Sequence, residues 1–207
     1  MGDYAIIVIG ASQGGVDALQ TLVAGLPRDI PAGLFVVQHI GRQPSHLPEL
    51  LARRASLPVA YPAITEAVQP GRICVAPPDH HVILDDGAVR LTRGPRENWA
   101  RPAIDPLFRS AAAAYGRRVV GVILTGGLND GTAGLHAVRA RGGVAVVQDP
   151  RDAACADMPR SALRHAGADY CIPLQDIPPL LTGLAEDIAN GQEPNRQVSA
   201  GGQAHDR

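Results

Sequence analysis

Ser12 lies in a glycine-rich segment whose residue types suit nucleophilic chemistry. Gly10 and Gly14 flank it in the spacing G-x-S-x-G, which presents a serine hydroxyl on a tight turn between a strand and a helix. The helix after such a turn directs unpaired backbone N–H groups and the positive end of its dipole toward the same point. Three interpretations fit: a nucleophile beside an anion-stabilising site, a serine that only caps the helix, and a loop that binds phosphate.

His39 and Asp130 are the groups that could activate this serine. A serine hydroxyl attacks a carbonyl only if a neighbouring imidazole takes its proton, and the imidazole works best when a carboxylate fixes its tautomer. Each residue also has a simpler explanation, because His39 can be a loop histidine bonded to the backbone and Asp130 can be the N-cap of the helix after it. The three residues indicate an acyl-transfer site if the fold brings them together.

Continuous apolar runs in the sequence predict strands that would bring these three residues together. Four of them, at residues 6–9, 34–37, 119–124 and 144–147, alternate with segments of helical periodicity. Such runs predict a doubly wound, mostly parallel α/β sheet with helices on both faces. Ser12, His39 and Asp130 each follow one of the first three runs. They are therefore expected at the carboxyl edge of the sheet, where open α/β sheets bind their ligands.

The remaining segments predict the outline of one domain. Extended pieces at 58–61, 72–76 and 81–84, followed by a turn at 85–87 and a strand at 88–91, indicate a small antiparallel hairpin annex. A helix is predicted to begin at Asp105 and Pro106 and to end at Gly116. From Asn190 onward apolar residues become scarce. We therefore expect residues 1–189 to form the folded domain and residues 190–207 a disordered tail.

Composition excludes several classes of function. A formal net charge of -1 and the absence of a basic stripe argue against nucleic acid as a partner. The N-terminal residues lack a basic region, and 18 consecutive apolar residues occur nowhere, so we expect a cytoplasmic protein without membrane insertion. Cys74, Cys155 and Cys171 are widely spaced and odd in number. They are predicted to be buried thiols in a reducing compartment.

No cofactor or metal is predicted. The glycines at 10–15 lack the order G-x-G-x-x-G, and no acidic residue in a ribose-binding context ends the second strand, so a dinucleotide site is not supported. His80 and His81 beside Asp79 lack a further ligand set at zinc-site spacing.

Six blocks of residues, in order along the chain, resemble the catalytic domain of the CheB-type chemotaxis methylesterases, the protein-glutamate methylesterases. The resemblance runs from about Tyr4 to Leu184 and is far more specific than the serine turn alone. The blocks are residues 10–15, 38–39, 76–81, 101–105, 124–131 and 158–162.

The resemblance implies a function for the site. Family members hydrolyse glutamate γ-methyl esters on the cytoplasmic helices of chemoreceptors and release methanol, and some relatives also deamidate receptor glutamines. The family's catalytic serine, histidine and aspartate fall on Ser12, His39 and Asp130. Backbone N–H groups near Gln13 and Gly127 are implied to hold the oxyanion.

Five residues in three places depart from the family pattern. Members commonly have threonine in place of Gln13, Met-Pro in place of Ile40-Gly41, and Met-Gly in place of Gly127-Leu128. We expect these changes to leave the chemistry possible and to affect substrate preference. The first strand begins a few residues after Met1, so no receiver domain is expected within the chain, and a separate receiver protein or chemotaxis kinase stays open as a partner.

Two other functions stay open at this point. The protein could be a serine esterase or amidase that acts on another protein or a small molecule. It could also be a non-catalytic module of the same fold that binds an anion or a partner at the glycine turns. The arginine-rich loop at 93–101 fits either a contact with acidic receptor helices or a solvated loop.

Overall fold

Ten strands and six α-helices form the part of the chain that the computed structural model describes, residues 4–40, 44–85 and 87–193. The strands are β1 (Ala5–Ala11), β2 (Ala32–Gln38), β3 (Val59–Ala60), β4 (Thr65–Ala67), β5 (Arg72–Val75), β6 (His81–Asp85), β7 (Ala88–Thr92), β8 (Val119–Ile123), β9 (Val144–Gln148) and β10 (Tyr170–Ile172). The helices are α1 (Gly15–Ala24), α2 (Leu47–Ala52), α3 (Ile104–Tyr115), α4 (Thr132–Ala140), α5 (Asp157–His165) and α6 (Ile177–Ala189).

A seven-stranded sheet in the order β10-β9-β8-β1-β2-β5-β3 is the centre of the fold. All of its strand pairs are parallel. A second, antiparallel sheet has the order β4-β7-β6. The predicted fold class, a mostly parallel sheet with a small antiparallel annex, is confirmed.

The alternation of side chains along β1 shows how both faces of the sheet are covered. Ile7 and Ile9 belong to a buried cluster that includes α1, α2 and α6. Ile6 and Val8 belong to a second cluster with α3, α4, α5 and the small sheet. Because successive strand residues point to opposite faces, a run that is apolar throughout needs helices on both sides.

Four strands differ from the sequence prediction. The segments at 58–61 and 72–76 were expected in the antiparallel annex, but β3 and β5 pair in parallel with each other inside the main sheet, where β5 also pairs with β2. Strand β4 of the small sheet was not predicted. The edge strand β10 was not predicted, because it is three residues long and only its first residue is buried. Short strands carry little periodicity, so their pairing depends on contacts distant in sequence.

The start of α3 also differs. The helix begins at Ile104, and the extended residue Ala103 in the N-cap position has no side chain that could bond the helix. The backbone N–H groups of Ile104 and Asp105 instead donate to the distant carboxylate of Asp130, at 2.7 and 3.2 Å. The helix therefore begins one residue before Asp105, the predicted start, and the side chain of Asp130 caps it.

Within the described residues, none of the helices has the length and apolar character needed to cross a lipid bilayer. The last helix ends at Ala189. Of the predicted tail at 190–207, residues 194–207 lie outside the described residues, and the division of the chain at residue 189 stays a prediction.

Helices α3 and α4 approach so closely at Gly134 that a methyl group has no room. A Cβ at this position would lie 2.5 Å from Cβ of Phe108. We expect Gly134→Ala to lower the free energy of unfolding by about 1–3 kcal/mol, the usual effect of overpacking. Gly183→Ala in α6 is the matched control, because nothing lies within 4 Å of its added Cβ. It should raise stability by up to about 1 kcal/mol through helix propensity. Urea unfolding measures the change in free energy of unfolding for each variant. Equal changes in Gly134→Ala and Gly183→Ala would contradict the close contact of α3 and α4 at Gly134.

Candidate active site

The ends of three neighbouring strands place the predicted site residues at one edge of the sheet. Ser12 follows β1, His39 follows β2, and Asp130 lies in the turn between β8 and α4. Backbone hydrogen bonds continue beyond the strands, from Ser12 N–H to the carbonyl of Thr125 at 3.0 Å and from His39 N–H to the carbonyl of Ala11 at 3.2 Å. This pairing fixes the backbone from which Ser12 and His39 project.

The side chains of Ser12, His39 and Asp130 form a continuous hydrogen-bonded chain. Ser12 Oγ lies 3.1 Å from His39 Nδ1. His39 Nε2 lies 2.8 Å from Asp130 Oδ2. The structure therefore brings together all three residues that the sequence singled out.

The tautomer of His39 follows from its neighbours. An ionised carboxylate can only accept hydrogen bonds, so Nε2 carries the proton and donates to Asp130. Nδ1 then has a free lone pair and accepts the hydroxyl proton of Ser12. In chymotrypsin-like proteases the two ring nitrogens have the opposite partners. In either ring orientation, the unprotonated ring nitrogen accepts a hydrogen bond from the serine hydroxyl.

Asp130 is almost completely buried, and hydrogen-bond donors surround it. Its side chain is 3% exposed, against 21% for that of His39. Its oxygens accept hydrogen bonds from one imidazole, one amide and three backbone N–H groups, those of His39, Asn98, Ile104, Asp105 and Gly131. The backbone donors belong to the start of α3 and to the residue before α4, so the positive ends of two helix dipoles meet at this carboxylate.

These donors decide the ionisation of Asp130. Burial alone would raise its pKa, since a charged group loses hydration inside the protein. The hydrogen bonds from His39, Ile104 and Asn98, with the positive charge that His39 carries when it is protonated, outweigh burial and hold the pKa of Asp130 below its ordinary value. Asp130 is therefore ionised at neutral pH.

A second buried carboxylate, that of Asp105, lies beside Asp130. The amide nitrogen of Asn98 donates to both, at 2.8 Å to Asp105 Oδ2 and 2.6 Å to Asp130 Oδ1. Gly134 N–H donates to Asp105 Oδ1 at 2.6 Å. Burial raises the pKa of Asp105 despite the Gly134 hydrogen bond, and the charge of Asp130 raises it further. Sequence reasoning missed the contact of Asn98 with the site, because Asn98 lies in a loop without periodicity.

Gln38 is a second residue that sequence reasoning did not assign to the site. Its side chain is buried, and Nε2 donates to the backbone carbonyl of Ser12 at 2.7 Å. This bond holds the serine turn against the end of β2. The sequence signal that could have assigned Gln38 to the site was its position next to His39 in the block at 38–39.

Gln13 and Gly127, the two residues predicted to hold the oxyanion, lie close together. Both line the cleft that contains Ser12. Within the described residues, the backbone N–H groups of both lack a protein acceptor. A Cβ at Gly127 would lie 3.9 Å from Gln13 Oε1, so the two turns are close neighbours.

The cleft above these residues has a volume of about 360 Å³. It is lined by Ser12, Gln13, His39, Asn98, Trp99, Gly127, Leu128, Asn129 and Asp130. One departure from the family pattern shapes its rim, since Leu128 has a φ of 64°, a left-handed conformation that glycine adopts readily. Of the pair Ile40-Gly41, Gly41 lies outside the described residues.

The histidine pair at 80–81 has structural partners. His81 is buried, with its ring nitrogens bonded to the carbonyl of Pro95 and the N–H of Ala103. His80 bonds the carbonyl of Pro78 and accepts from Arg93. Among the described residues, no group of three histidine, cysteine or acidic side chains could hold a metal ion.

The cysteines are free thiols. Cys74 is buried as predicted, and burial raises its pKa to about 11. Cys155 and Cys171 are only half-buried, so the expectation of burial was wrong for these two.

Comparison with known proteins decides the family. The model described as CheB methylesterase matches residues 7–181. The chain belongs to the CheB methylesterase family. A candidate protein-glutamate methylesterase/protein-glutamine glutaminase of Leptospira interrogans is 37% identical over 187 residues, which cover 89% of this chain and 97% of that relative.

Other CheB methylesterase relatives are longer. Protein-glutamate methylesterase/protein-glutamine glutaminase 2 of Anaeromyxobacter dehalogenans is 39% identical over 180 residues, which cover 86% of this chain and 53% of that relative. This chain thus spans about half the length of that relative.

A solved structure also matches. The crystal structure of the Thermotoga maritima CheB methylesterase catalytic domain matches with a TM-score of 0.84 at 34% identity, over 89% of this chain and 99% of that one.

The lowered pKa of Asp130 predicts how an amide replacement changes stability with pH. In Asp130→Asn, an NH₂ group must face N–H donors, so we expect a loss of about 2–3 kcal/mol in the free energy of unfolding at pH 7. Because the folded pKa lies below the unfolded value of about 3.9, the stabilisation by Asp130 is present above that pH. It is lost as pH falls through the folded pKa, so the gap between wild type and variant narrows below about pH 4.

Urea unfolding at pH 7 and at pH 3 to 4 measures the difference in free energy of unfolding between wild type and Asp130→Asn. Asp29→Asn is the control, since Asp29 is exposed, and it should change stability by less than about 0.5 kcal/mol. A gap for Asp130→Asn that stayed constant across this pH range would contradict the ionised, hydrogen-bonded carboxylate.

Proposed function

We propose that the protein is a protein-glutamate methylesterase that hydrolyses glutamate γ-methyl esters of chemoreceptors and releases methanol. Ser12 is the nucleophile, His39 the general base and Asp130 the group that orients the imidazole. The observation that carries this proposal is the hydrogen-bonded chain of 3.1 and 2.8 Å through the three side chains, in a member of the CheB methylesterase family.

Acylation begins with attack of Ser12 Oγ on the ester carbonyl carbon. His39 Nδ1 takes the hydroxyl proton, and the imidazolium that forms is stabilised by the ionised Asp130 at 2.8 Å. The tetrahedral intermediate then collapses. The C–O bond to the methoxy group breaks, and the proton on Nδ1 passes to the leaving oxygen, so methanol departs and a glutamyl ester of Ser12 remains.

The oxyanion of the intermediate needs donors that no other group uses. In the described part of the chain the backbone N–H groups of Gln13 and Gly127 have no acceptor, so they meet this requirement, and both residues line the cleft with Ser12. One such donor contributes about 3 kcal/mol to transition-state stabilisation in comparable sites. A backbone donor also survives replacement of the family's methionine by Gly127, because the side chain is not involved.

Deacylation repeats the same steps with water. His39 Nδ1 removes a proton from a water molecule that attacks the acyl carbon, and then returns the proton to Ser12 Oγ, so that a free γ-carboxylate leaves. A glutamine side chain enters the same sequence with ammonia as the leaving group. The names of the relatives include protein-glutamine glutaminase, which supports deamidation as a second activity.

The proposed substrate also sets the proposed location. Methyl-accepting glutamates belong to the cytoplasmic helices of chemoreceptors, so we place the protein in the cytoplasm with those helices as its partner. Two results would favour the alternatives. Hydrolysis of small esters without activity on receptors indicates a different esterase, and phosphate binding without any turnover indicates a binding module.

Removal of the Ser12 hydroxyl tests the nucleophile. We expect Ser12→Ala to lower kcat for methanol release from methylated receptor by about 10⁴-fold or more, because the remaining groups only bind and polarise the ester. Ser56→Ala is the matched control, since Ser56 is exposed and does not line the cleft; it should retain the wild-type rate. Full activity of Ser12→Ala would rule out the proposed mechanism.

The Gly127 N–H can be tested by a pair of substitutions. Gly127→Pro removes this donor, and we expect kcat to fall by about 10²–10³-fold with a small change in KM. Gly127→Ala keeps the N–H, and its added Cβ would have 3.9 Å to its nearest neighbour, so it should stay within a few-fold of wild type. Similar rates for the two variants would exclude a role for this N–H.

A further inference from the structure

Asn98 and Trp99 form a two-residue turn whose backbone is unusual for these side chains. Glu97 and Ala100 pair in antiparallel fashion, with reciprocal N–H to carbonyl bonds of 3.2 and 2.9 Å. Between them Asn98 has a φ of 49° and Trp99 a φ of 63°. Positive φ at both central residues defines the type I′ turn, in which the second central residue is normally glycine. A tryptophan here holds its backbone in a strained conformation.

Leu128 shows the same combination on another turn of the same cleft. Its φ is 64°, and the residue is 72% exposed, while Trp99 is 90% exposed. The exposed large hydrophobic residues among the described residues are Ile64, Trp99 and Leu128. Two of these three line the cleft that contains Ser12. Both therefore combine left-handed backbone with exposure of apolar surface to water, two unfavourable features that packing against the other described residues does not offset.

Arg96 places a positive charge next to Trp99. Arg96 is exposed, and its Nη1 donates to the backbone carbonyl of Trp99 at 3.3 Å. In the described part of the chain, its guanidinium has no carboxylate within ion-pair distance. The rim of the cleft thus has two exposed apolar side chains and one unpaired positive charge.

The turn is tied to the proposed catalytic residues. Asn98, its first central residue, donates its amide hydrogens to Asp130 and Asp105. These bonds fix the turn relative to His39, and so they fix the position from which the Trp99 side chain projects. Strained backbone held in place by surrounding hydrogen bonds is typical of ligand-binding positions.

We propose that Trp99, Leu128 and Arg96 form a binding surface for the polypeptide that flanks the ester, an acidic segment with apolar side chains next to the modified glutamate. The inference rests on the proposed function, because the occupant of this cleft is the molecule that brings an ester to Ser12. The exposed apolar rim and its cation are complementary to the neighbouring residues of an acidic protein chain.

Glycine replacements separate this role from a structural one. Trp99→Gly and Leu128→Gly remove the side chains, and glycine adopts the positive φ at little cost, so both variants should fold with a melting temperature at or above that of wild type. Two substrates are compared, a methylated receptor fragment and the γ-methyl ester of an N-blocked glutamate amide. We expect the ratio of kcat/KM for the fragment to kcat/KM for the small ester to fall about tenfold in each variant, the usual effect of losing an interface anchor.

Ile64→Ala is the matched control. It removes exposed apolar surface at a position that is 77% exposed and does not line the cleft, so its substrate ratio should equal that of wild type. An unchanged ratio in both Trp99→Gly and Leu128→Gly, or an equal fall in Ile64→Ala, would overturn the proposal. If the wild-type protein cleaves the small ester and releases no methanol from the fragment, the proposed receptor function itself fails, and this outcome is distinct from a changed ratio.

Salt dependence tests the cationic part of the surface. Attraction between Arg96 and an acidic segment weakens as ionic strength rises, so KM of the wild-type protein for the receptor fragment should increase with salt. In Arg96→Gln, KM at low salt should already be raised and should respond less to added salt. The same salt response in wild type and Arg96→Gln would exclude Arg96 from the surface.

Discussion

A buried carboxylate stays ionised only if donors replace its lost hydration, and the fold around Asp130 meets this requirement. Three backbone N–H groups, an amide and an imidazole bond its two oxygens. The charge of Asp130 in turn fixes the proton of His39 on Nε2 and leaves the Nδ1 lone pair facing the Ser12 hydroxyl. The tautomer of His39 and the start of α3 both follow from this one group.

The same carboxylate therefore links stability to chemistry. Asp130 supplies the cap that Ala103 cannot give to α3, while the parallel pairing of β1 with β2 and β8 sets the spacing of the strand ends. Asn98 extends this network to the rim of the cleft, where the backbone of Trp99 is strained. Rigid elements hold the reacting groups, and the strained turn lies where a substrate would make contact. Sites whose geometry must be preformed commonly hold their functional groups on rigid elements in this way.

Much of this arrangement could be predicted from the sequence. The apolar runs predicted the parallel sheet, and the order of polar residues after them predicted that Ser12, His39 and Asp130 meet. Periodicity could not place β5 in the main sheet or find β10, because short strands are defined by their neighbours. The bonds of Asn98 and Asp105 to the site were equally inaccessible. They join the turn at 98–99, the start of α3 and the turn before α4, which are distant along the chain.

The central claim is that Ser12, His39 and Asp130 act as one hydrogen-bonded unit, and a double substitution tests it most directly. The measurement is kcat for hydrolysis of a glutamate γ-methyl ester by Ser12→Ala, His39→Ala and the variant that carries both changes. Residues that act as a unit give losses that do not add, so the account predicts that the double variant is no slower than the slower single variant. Losses that multiply in the double variant would show that the two residues act independently and would contradict the account.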